Sequence, residues 1–119
     1  MPPPPVSRLQ VEVIDDVTVV LITASEIVEP AILNAVRDEL YQLVASQKPA
    51  KVVLNLSKVR KYSTEFLGNL VGLRSRLKKM GGVLKVSNVA TMLMEAVKIL
   101  QLDRQIEFFD EEQEAIDSF

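Results

Sequence analysis

Two periods of apolar and polar positions alternate along this chain, and each change of period marks a new element. Stretches in which apolar residues alternate or run together, bounded by turn residues, are typical of β-strands. Asp15-Asp16 stands as a tight turn between the first two stretches, which predicts a hairpin. The apolar run 52–56 is typical of a strand buried on both faces. The predicted strands are 9–14, 17–23, 52–56, 83–86 and, as an edge strand or extended segment, 106–109.

Between these strands the apolar residues recur with helical spacing. Pro30 suits a first helical turn, and Lys48-Pro49 ends that helix. A second helix starts near Thr64 and stops at Gly81-Gly82. Shorter helices are predicted over 90–100 and 111–119. Because strands separated by helices pair in parallel and the hairpin adds an antiparallel edge, we expect an α/β fold. It should have a mixed sheet of four to five strands, with about four helices packed against it.

The helix that starts near Thr64 has two distinct faces. At about 100° per residue, one side carries a full apolar stripe that should face the core: Phe66, Leu70, Leu73, Leu77 and Met80. A second line is small and nearly flat, and we expect it to face solvent: Thr64, Gly68, Val71 and Ser75. Since a glycine inside a helix costs about 1 kcal/mol relative to alanine, Gly68 and Gly72 suggest that another surface comes close.

Thr64 is a candidate switch because a hydroxyl at a helix start can carry a phosphate. A phosphothreonine adds a charge of about −1.5 to −2 at neutral pH, and a helix N-terminus stabilises negative charge. The helix would therefore accept the modification. A protein docked beside Thr64 would instead meet a new double negative charge.

Composition narrows the class of protein. The 119 residues predict one domain, and 48% hydrophobic residues are enough for one core. The chain has neither cysteine nor histidine, which excludes disulfides and thiolate chemistry and removes the usual general base and the commonest metal ligand. We expect no membrane insertion, because no apolar run approaches about 20 residues. The opening MPPPP lacks the features of a signal peptide, so residues 1–7 are predicted to be a flexible lead-in to a cytoplasmic domain over 8–119.

The small net charge of −2 hides a strong asymmetry. One segment has nine basic residues against the single acid Glu65: Lys51, Lys58, Arg60, Lys61, Arg74, Arg76, Lys78, Lys79 and Lys85. From 103 to 119, seven acids face one base, Arg104. The basic segment lacks the interleaved aromatic residues and helix-turn-helix pattern of nucleic-acid binding, so an electropositive rim for an acidic protein partner is favoured.

Nothing in the chain supports an enzyme or a bound cofactor. Gly81-Gly82 lies at a helix end and is a cap, whereas a phosphate-binding loop would stand at a helix start. No spacing indicates a metal site, and no two acids converge as a catalytic pair. A small nucleotide-binding or enzymatic protein remains the least supported alternative, which a nucleotide titration would test.

The order of these stretches resembles the STAS domain of bacterial anti-sigma factor antagonists over residues 9–115. The matching stretches are VVLNLSKV (52–59), LGNLVGLRSRLKKMGGVLKVSNV (67–89) and ILQLDR (99–104). Family members typically carry Leu-Asp-Leu-Ser, then Asp-Ser-Ser-Gly-Leu-Gly, a helix, Gly-Gly and a strand ending near Asn-Val. Placing Leu67-Gly68 on the family's Leu-Gly aligns Ser63 with its Asp and Thr64 with its phosphorylated Ser. Glu65 then matches the second Ser, and Phe66 matches the Gly.

The resemblance implies an antagonist that binds a serine/threonine kinase-type anti-sigma factor and thereby regulates transcription. Thr64 would be the phosphate acceptor, with Ser63 the runner-up because Ser63 suits the N-cap. The expected partner-binding residues are Ser63, Thr64, Glu65, Gly68, Val71 and Ser75.

Three departures from the family pattern bear on this function. Ser63 lacks the charge of the family Asp, Glu65 adds a charge that could mimic a partly phosphorylated state, and residues 24–27 match the family poorly. The alternative is a STAS scaffold or accessory subunit of another assembly, such as a stressosome-like or lipid-transport complex. The sequence sets no oligomeric state.

Overall fold

The computed structural model describes residues 7–119, so the proline-rich stretch of the predicted lead-in lies outside the described residues. Within this range the chain alternates strands and helices as the hydrophobic pattern predicts. The elements are β1 (Leu9–Ile14), β2 (Val17–Ile22), β3 (Glu26–Ile27), α1 (Pro30–Gln47), β4 (Lys51–Asn55), β5 (Lys61–Tyr62), α2 (Thr64–Lys79), β6 (Val83–Ser87), α3 (Thr91–Ile99), a 3-10 turn (Leu102–Arg104), β7 (Glu107–Phe109) and α4 (Glu112–Asp117).

The main sheet is mixed and has five strands in the order β1-β2-β4-β6-β7. β1 and β2 pair antiparallel across Asp15 and Asp16, whose φ angles of 49° and 63° make the tight turn that was predicted. The other neighbouring strands pair in parallel, each reached through a helical crossover. The predicted fold class is therefore confirmed.

The two faces of the sheet have different covers. On one face, alternate residues of the strands pack with α1, α2 and α3 into the larger core. Phe66, Leu70, Leu73 and Leu77 belong to it and are buried, as the helical stripe predicted. On the other face, α4 covers a smaller cluster built on Val19, Val53 and Ile116.

Met80 corrects one part of the predicted stripe, because it is 42% exposed. α2 ends at Lys79, and the chain turns away in a Schellman motif: Gly82 N donates to Leu77 O at 2.8 Å, and Gly81 adopts φ 78°. Met80 therefore leaves the helical stripe. Leu100 is half-exposed although the helical pattern of 90–100 extends to it, because α3 ends at Ile99 and the chain turns at Gln101, which has φ 59°.

Lys85 corrects the predicted electropositive rim. Its side chain is only 7% exposed, because it projects from the middle of β6 into the face that α4 covers. Its Nζ donates to Ser118 Oγ at 2.7 Å and to Ser118 O at 3.1 Å, and it lies 4.3 Å from the centroid of the Phe119 ring. Lys85 is therefore an internal contact that holds the C-terminal segment.

Candidate functional site

The start of α2 presents the residues in which the sequence places a switch. Thr64 is the first helical residue, and both Thr64 and Glu65 are exposed. Glu65 lies in the first turn, where the helix dipole favours a negative charge. Ser63 occupies the N-cap position with extended backbone angles, φ −97° and ψ 160°.

Ser63 departs from its expected capping role. Its hydroxyl makes no capping hydrogen bond, and Phe66 N donates instead to the backbone carbonyl of Ser63 at 3.0 Å. The Ser63 Oγ is buried and has no hydrogen-bond partner among residues 7–119. The two neighbouring hydroxyls thus differ sharply in access, because the Thr64 side chain faces solvent while the Ser63 oxygen does not.

A small second sheet holds the start of α2 against the loop that follows β2. β3 and β5 pair in parallel, with Ile27 opposite Tyr62, and Ser63 N donates to Ile27 O at 3.0 Å. Ile27 is fully buried, whereas the next residue, Val28, is half-exposed beside the start of α2. Sequence reasoning missed this pairing, because strands of two residues carry no measurable period.

Hydrogen bonds from Asn55 anchor the start of a second loop, residues 56–63, which leads from β4 to Thr64. Asn55 Oδ1 accepts from Ser57 N at 2.8 Å, and Asn55 Nδ2 donates to Glu112 Oε2 at 2.7 Å. The loop that leads to Thr64 is therefore tied both to the end of β4 and to the first turn of α4. Near Thr64, Lys61 and Glu26 form a solvent-exposed ion pair at 3.7 Å.

The predicted line along α2 divides into an exposed part and a half-buried part. Thr64, Gly68 and Ser75 are exposed, as expected for a surface open to another molecule. Val71 is half-buried and packs against the larger core, so it offers only part of its side chain. The surface formed by Ser63, Thr64, Glu65, Gly68, Val71 and Ser75, with Ser63 and Val71 partly buried, is called the α2 surface below.

The two glycines of α2 have different environments. A Cβ on Gly72 would collide with the Tyr41 hydroxyl of α1 and lie 3.4 Å from Tyr41 Cζ, so the neighbouring helix explains this glycine. A Cβ on Gly68 would meet nothing within 4 Å. Gly68 therefore carries the cost of a helical glycine without any contact from the described residues that requires it.

Two arginines of the basic segment are engaged within the chain. The Arg76 guanidinium lies 4.0 Å from the centroid of the Tyr41 ring, and Arg74 Nε donates to Gln105 O at 2.7 Å. Among residues 7–119 no group of three or more acidic side chains is placed to hold a metal ion. No helix in this part of the chain is long and apolar enough to cross a membrane.

This geometry defines the class of protein: an α/β domain with a mixed sheet and an exposed hydroxyl at the start of α2. The family model for the STAS domain matches residues 8–115, and the chain belongs to the STAS domain family. No curated protein sequence matches significantly.

Solved structures with this fold come from several kinds of protein. An anti-sigma factor antagonist from Mycobacterium paratuberculosis has a TM-score of 0.80 and 22% identity, over 92% of this chain and 91% of that one. The Bacillus cell fate determinant SpoIIAA in its phosphorylated form has a TM-score of 0.68 and 15% identity, over 92% and 97%. A sulfate transporter family protein from Wolinella succinogenes has a TM-score of 0.73 and 18% identity, over 90% and 87%. At these identities the similarity establishes the fold alone.

Proposed function

We propose that this protein is a bacterial, cytoplasmic anti-sigma factor antagonist that binds a kinase-type anti-sigma factor through the α2 surface. The observation that carries the proposal is Gly68, an exposed helical glycine one turn beyond Thr64 with open space beside it. A partner backbone that approaches α2 closely would account for a residue without a side chain at this position. Membership of the STAS family and the fold shared with anti-sigma factor antagonists agree with this role.

In this proposal Thr64 accepts a phosphate from the bound kinase, and the phosphate then releases the partner. Thr64 stands on an exposed helix start, so the added charge should be tolerated and gain about 0.3–1 kcal/mol from the helix dipole. In the complex the same charge would lie in a contact that excludes water, where it is costly without a matching cation. Phosphorylation should therefore change binding strongly and folding little.

Thr64 is the preferred acceptor over Ser63. A kinase needs direct access to the hydroxyl that it modifies, and the Ser63 oxygen is buried. The preference for Thr64 thus rests on access, since Ser63 makes no side-chain capping bond.

The decisive experiment is phosphorylation by the cognate kinase with ATP, followed by phosphopeptide mapping of the wild type, Thr64→Ala and Ser63→Ala. We expect phosphate on Thr64 in the wild type and in Ser63→Ala, and none in Thr64→Ala. Phosphate on Ser63 would show that the acceptor is Ser63 and that the assignment to Thr64 is wrong. If the kinase binds the wild type but transfers no phosphate, the proposed switch at Thr64 is wrong. Glu65 would then remain as a fixed negative charge at this site.

Binding of the unphosphorylated form tests the surface separately from the chemistry. Ser75→Arg adds a long cation to the exposed line and should weaken kinase binding at least about tenfold, by obstructing close approach. Gln42→Arg makes the same charge change on the exposed side of α1 and is the matched control. Equal affinities for both variants in calorimetry would remove the α2 surface from the interface.

The second candidate is a STAS scaffold or accessory subunit that is not switched. The fold shared with a sulfate transporter family protein favours it, since the same architecture occurs outside sigma-factor control. The exposed carboxylate of Glu65 beside Thr64 favours it as well, because it supplies a permanent negative charge. A pull-down of native partners that yields transporter components and no kinase would support this candidate.

A further inference from the structure

The end of the molecule opposite Thr64 combines lysines with exposed apolar side chains. The turn that follows α1 and the turn that follows α2 lie side by side there: Val83 N donates to Ala50 O at 2.9 Å, and Lys51 is paired with Val83 in the sheet. The segment that follows α3 reaches the same end, because Gln105 O accepts from Arg74 Nε of α2. Its lysines and exposed apolar residues, called the basic end below, are Lys48, Lys51, Lys78, Lys79, Met80, Val83, Lys98, Ile99 and Leu100.

Exposed apolar side chains are concentrated at this end. Eight large hydrophobic residues are exposed among residues 7–119, and four of them belong to the basic end. Ile99 is the most exposed of these at 79%, and Met80, Val83 and Leu100 are close to half-exposed. Lysines near helix C-termini are common because of the helix dipole, but the dipole does not account for protruding apolar neighbours.

Acidic residues compensate the basic end only partly. Asp16 pairs with Lys51 at 3.2 Å in an exposed bridge, Asp15 lies beside Asp16 in the same turn, and Asp103 follows α3 in the same region. Among the described residues no carboxylate lies within ion-pair distance of Lys48, Lys78, Lys79 or Lys98. The basic end is therefore positive although the whole chain carries a net charge of −2.

We propose that the basic end binds the surface of an anionic lipid bilayer. Lysines that face anionic headgroups attract a protein electrostatically, and apolar side chains at the same level enter the headgroup–acyl boundary. The alternative of an acidic protein is less suited to this end, because protein interfaces are depleted in lysine and need a contiguous apolar centre. Here the apolar residues form two separate pairs, Met80 with Val83 after α2 and Ile99 with Leu100 after α3.

This orientation leaves the Thr64 end of the α2 surface free. The strands β4 and β6 start at the basic end and finish near the loop that leads to Thr64. A molecule seated on a membrane by the basic end would therefore present Thr64 to the aqueous phase. The lipid proposal is independent of the proposed partner switch, and either can fail without the other.

The test is flotation of the purified full chain with vesicles of phosphatidylcholine that contain about 30% phosphatidylglycerol, at low ionic strength. We expect binding to these vesicles, little binding to pure phosphatidylcholine, and loss of binding when salt is raised to about 0.5 M. No binding of the wild type to anionic vesicles would overturn the proposal.

Matched variants locate the surface. Lys78→Glu with Lys79→Glu should lower the partition coefficient at least about tenfold, whereas Lys58→Glu with Arg60→Glu makes the same charge change at the opposite end and should have less than about a twofold effect. Met80→Ser should weaken binding more than Met92→Ser. Met92 is the matched control, because it is 77% exposed but lies at the start of α3, away from the basic end. Circular dichroism checks that each variant is folded. Equal losses for the two charge variants would show attraction by overall charge alone and would overturn the assignment.

Discussion

The two faces of the sheet use different chemistry to exclude water. The face under α1, α2 and α3 is apolar apart from Thr18, with strand residues such as Val20, Leu54 and Val86 fully buried against the helices. The face under α4 carries Asn55, Lys85 and Ser87, which are polar and buried, beside Val19 and Val53. Hydrogen bonds from Asn55 to Glu112 and from Lys85 to Ser118 add to the apolar contacts that hold α4 in place.

This difference shows where stability and adaptability reside in the domain. Burial of apolar surface is non-directional and strong, so the helix face tolerates few changes of volume. The α4 face depends on a few hydrogen bonds, each of which contributes about 0.5–1.5 kcal/mol net. Substitutions on the two faces should therefore differ in size and in the way that they can be rescued.

The largest effect is expected from Leu73→Ala on the helix face. Leu73 is almost fully buried, so truncation should cost about 2–5 kcal/mol through lost transfer energy and the cavity left behind. Urea denaturation followed by circular dichroism measures this difference. A cost below about 1 kcal/mol would contradict the tight packing described for α2.

Lys85 gives the contrast on the α4 face. Lys85→Ala should cost about 1–3 kcal/mol, because it removes the donor to Ser118 and opens space beneath α4. Lys85→Met keeps the volume and removes the buried charge, so it should stay within about 1 kcal/mol of the wild type. If Met were as destabilising as Ala, the ammonium itself would be essential, and the two faces would differ more than we infer.

Asn55 tests whether the hydrogen bond to α4 acts as a specific pair. Asn55→Asp replaces the donor to Glu112 with a carboxylate and should cost about 1–3 kcal/mol, since two carboxylates would then stand at hydrogen-bond distance. Glu112→Gln in the Asn55→Asp background should recover most of that loss. The double-mutant cycle gives the coupling energy, and a value near zero would show that the two side chains act independently.

The smallest effect is expected on the outer surface of the helix layer. Gly68→Ala should stabilise the fold by about 0.5–1 kcal/mol through helix propensity, because its Cβ enters open space. Gly72→Ala should not show this stabilisation, because the Tyr41 side chain must move to make room for the new Cβ. Thermal melts of the two variants measure the difference, and the same Gly68→Ala protein should bind the kinase more weakly than the wild type if the α2 surface is the interface.

The sequence pattern was informative where one signal dominates. Pro30 and Lys48-Pro49 bound α1, and Gly81-Gly82 ends α2, because proline and glycine restrict or permit backbone angles locally. The pattern was uninformative where a contact between distant segments decides whether a residue is buried. The burial of Lys85 depends on α4, which returns from more than twenty residues downstream to cover β6.

The candidate site divides in the same way. Exposure at Thr64, Gly68 and Ser75 follows from helical phase alone, and the structure has these residues exposed. The pairing of β3 with β5 and the buried Ser63 hydroxyl depend on contacts between distant segments, so no local pattern indicates them. The role of these residues in binding stays a prediction.

The bridge from Lys85 to Ser118 has a consequence for how this domain can diverge. A lysine at position 85 is acceptable only while its ammonium has oxygen partners; both of its hydrogen bonds go to Ser118, and the Glu107 carboxylate lies farther away, at 3.9 Å. The backbone oxygen at position 118 is available with any residue, but the shorter bond uses the hydroxyl. Related sequences that carry an apolar residue at position 85 should therefore not need a hydroxyl at position 118. We expect the residues at these two positions to vary together.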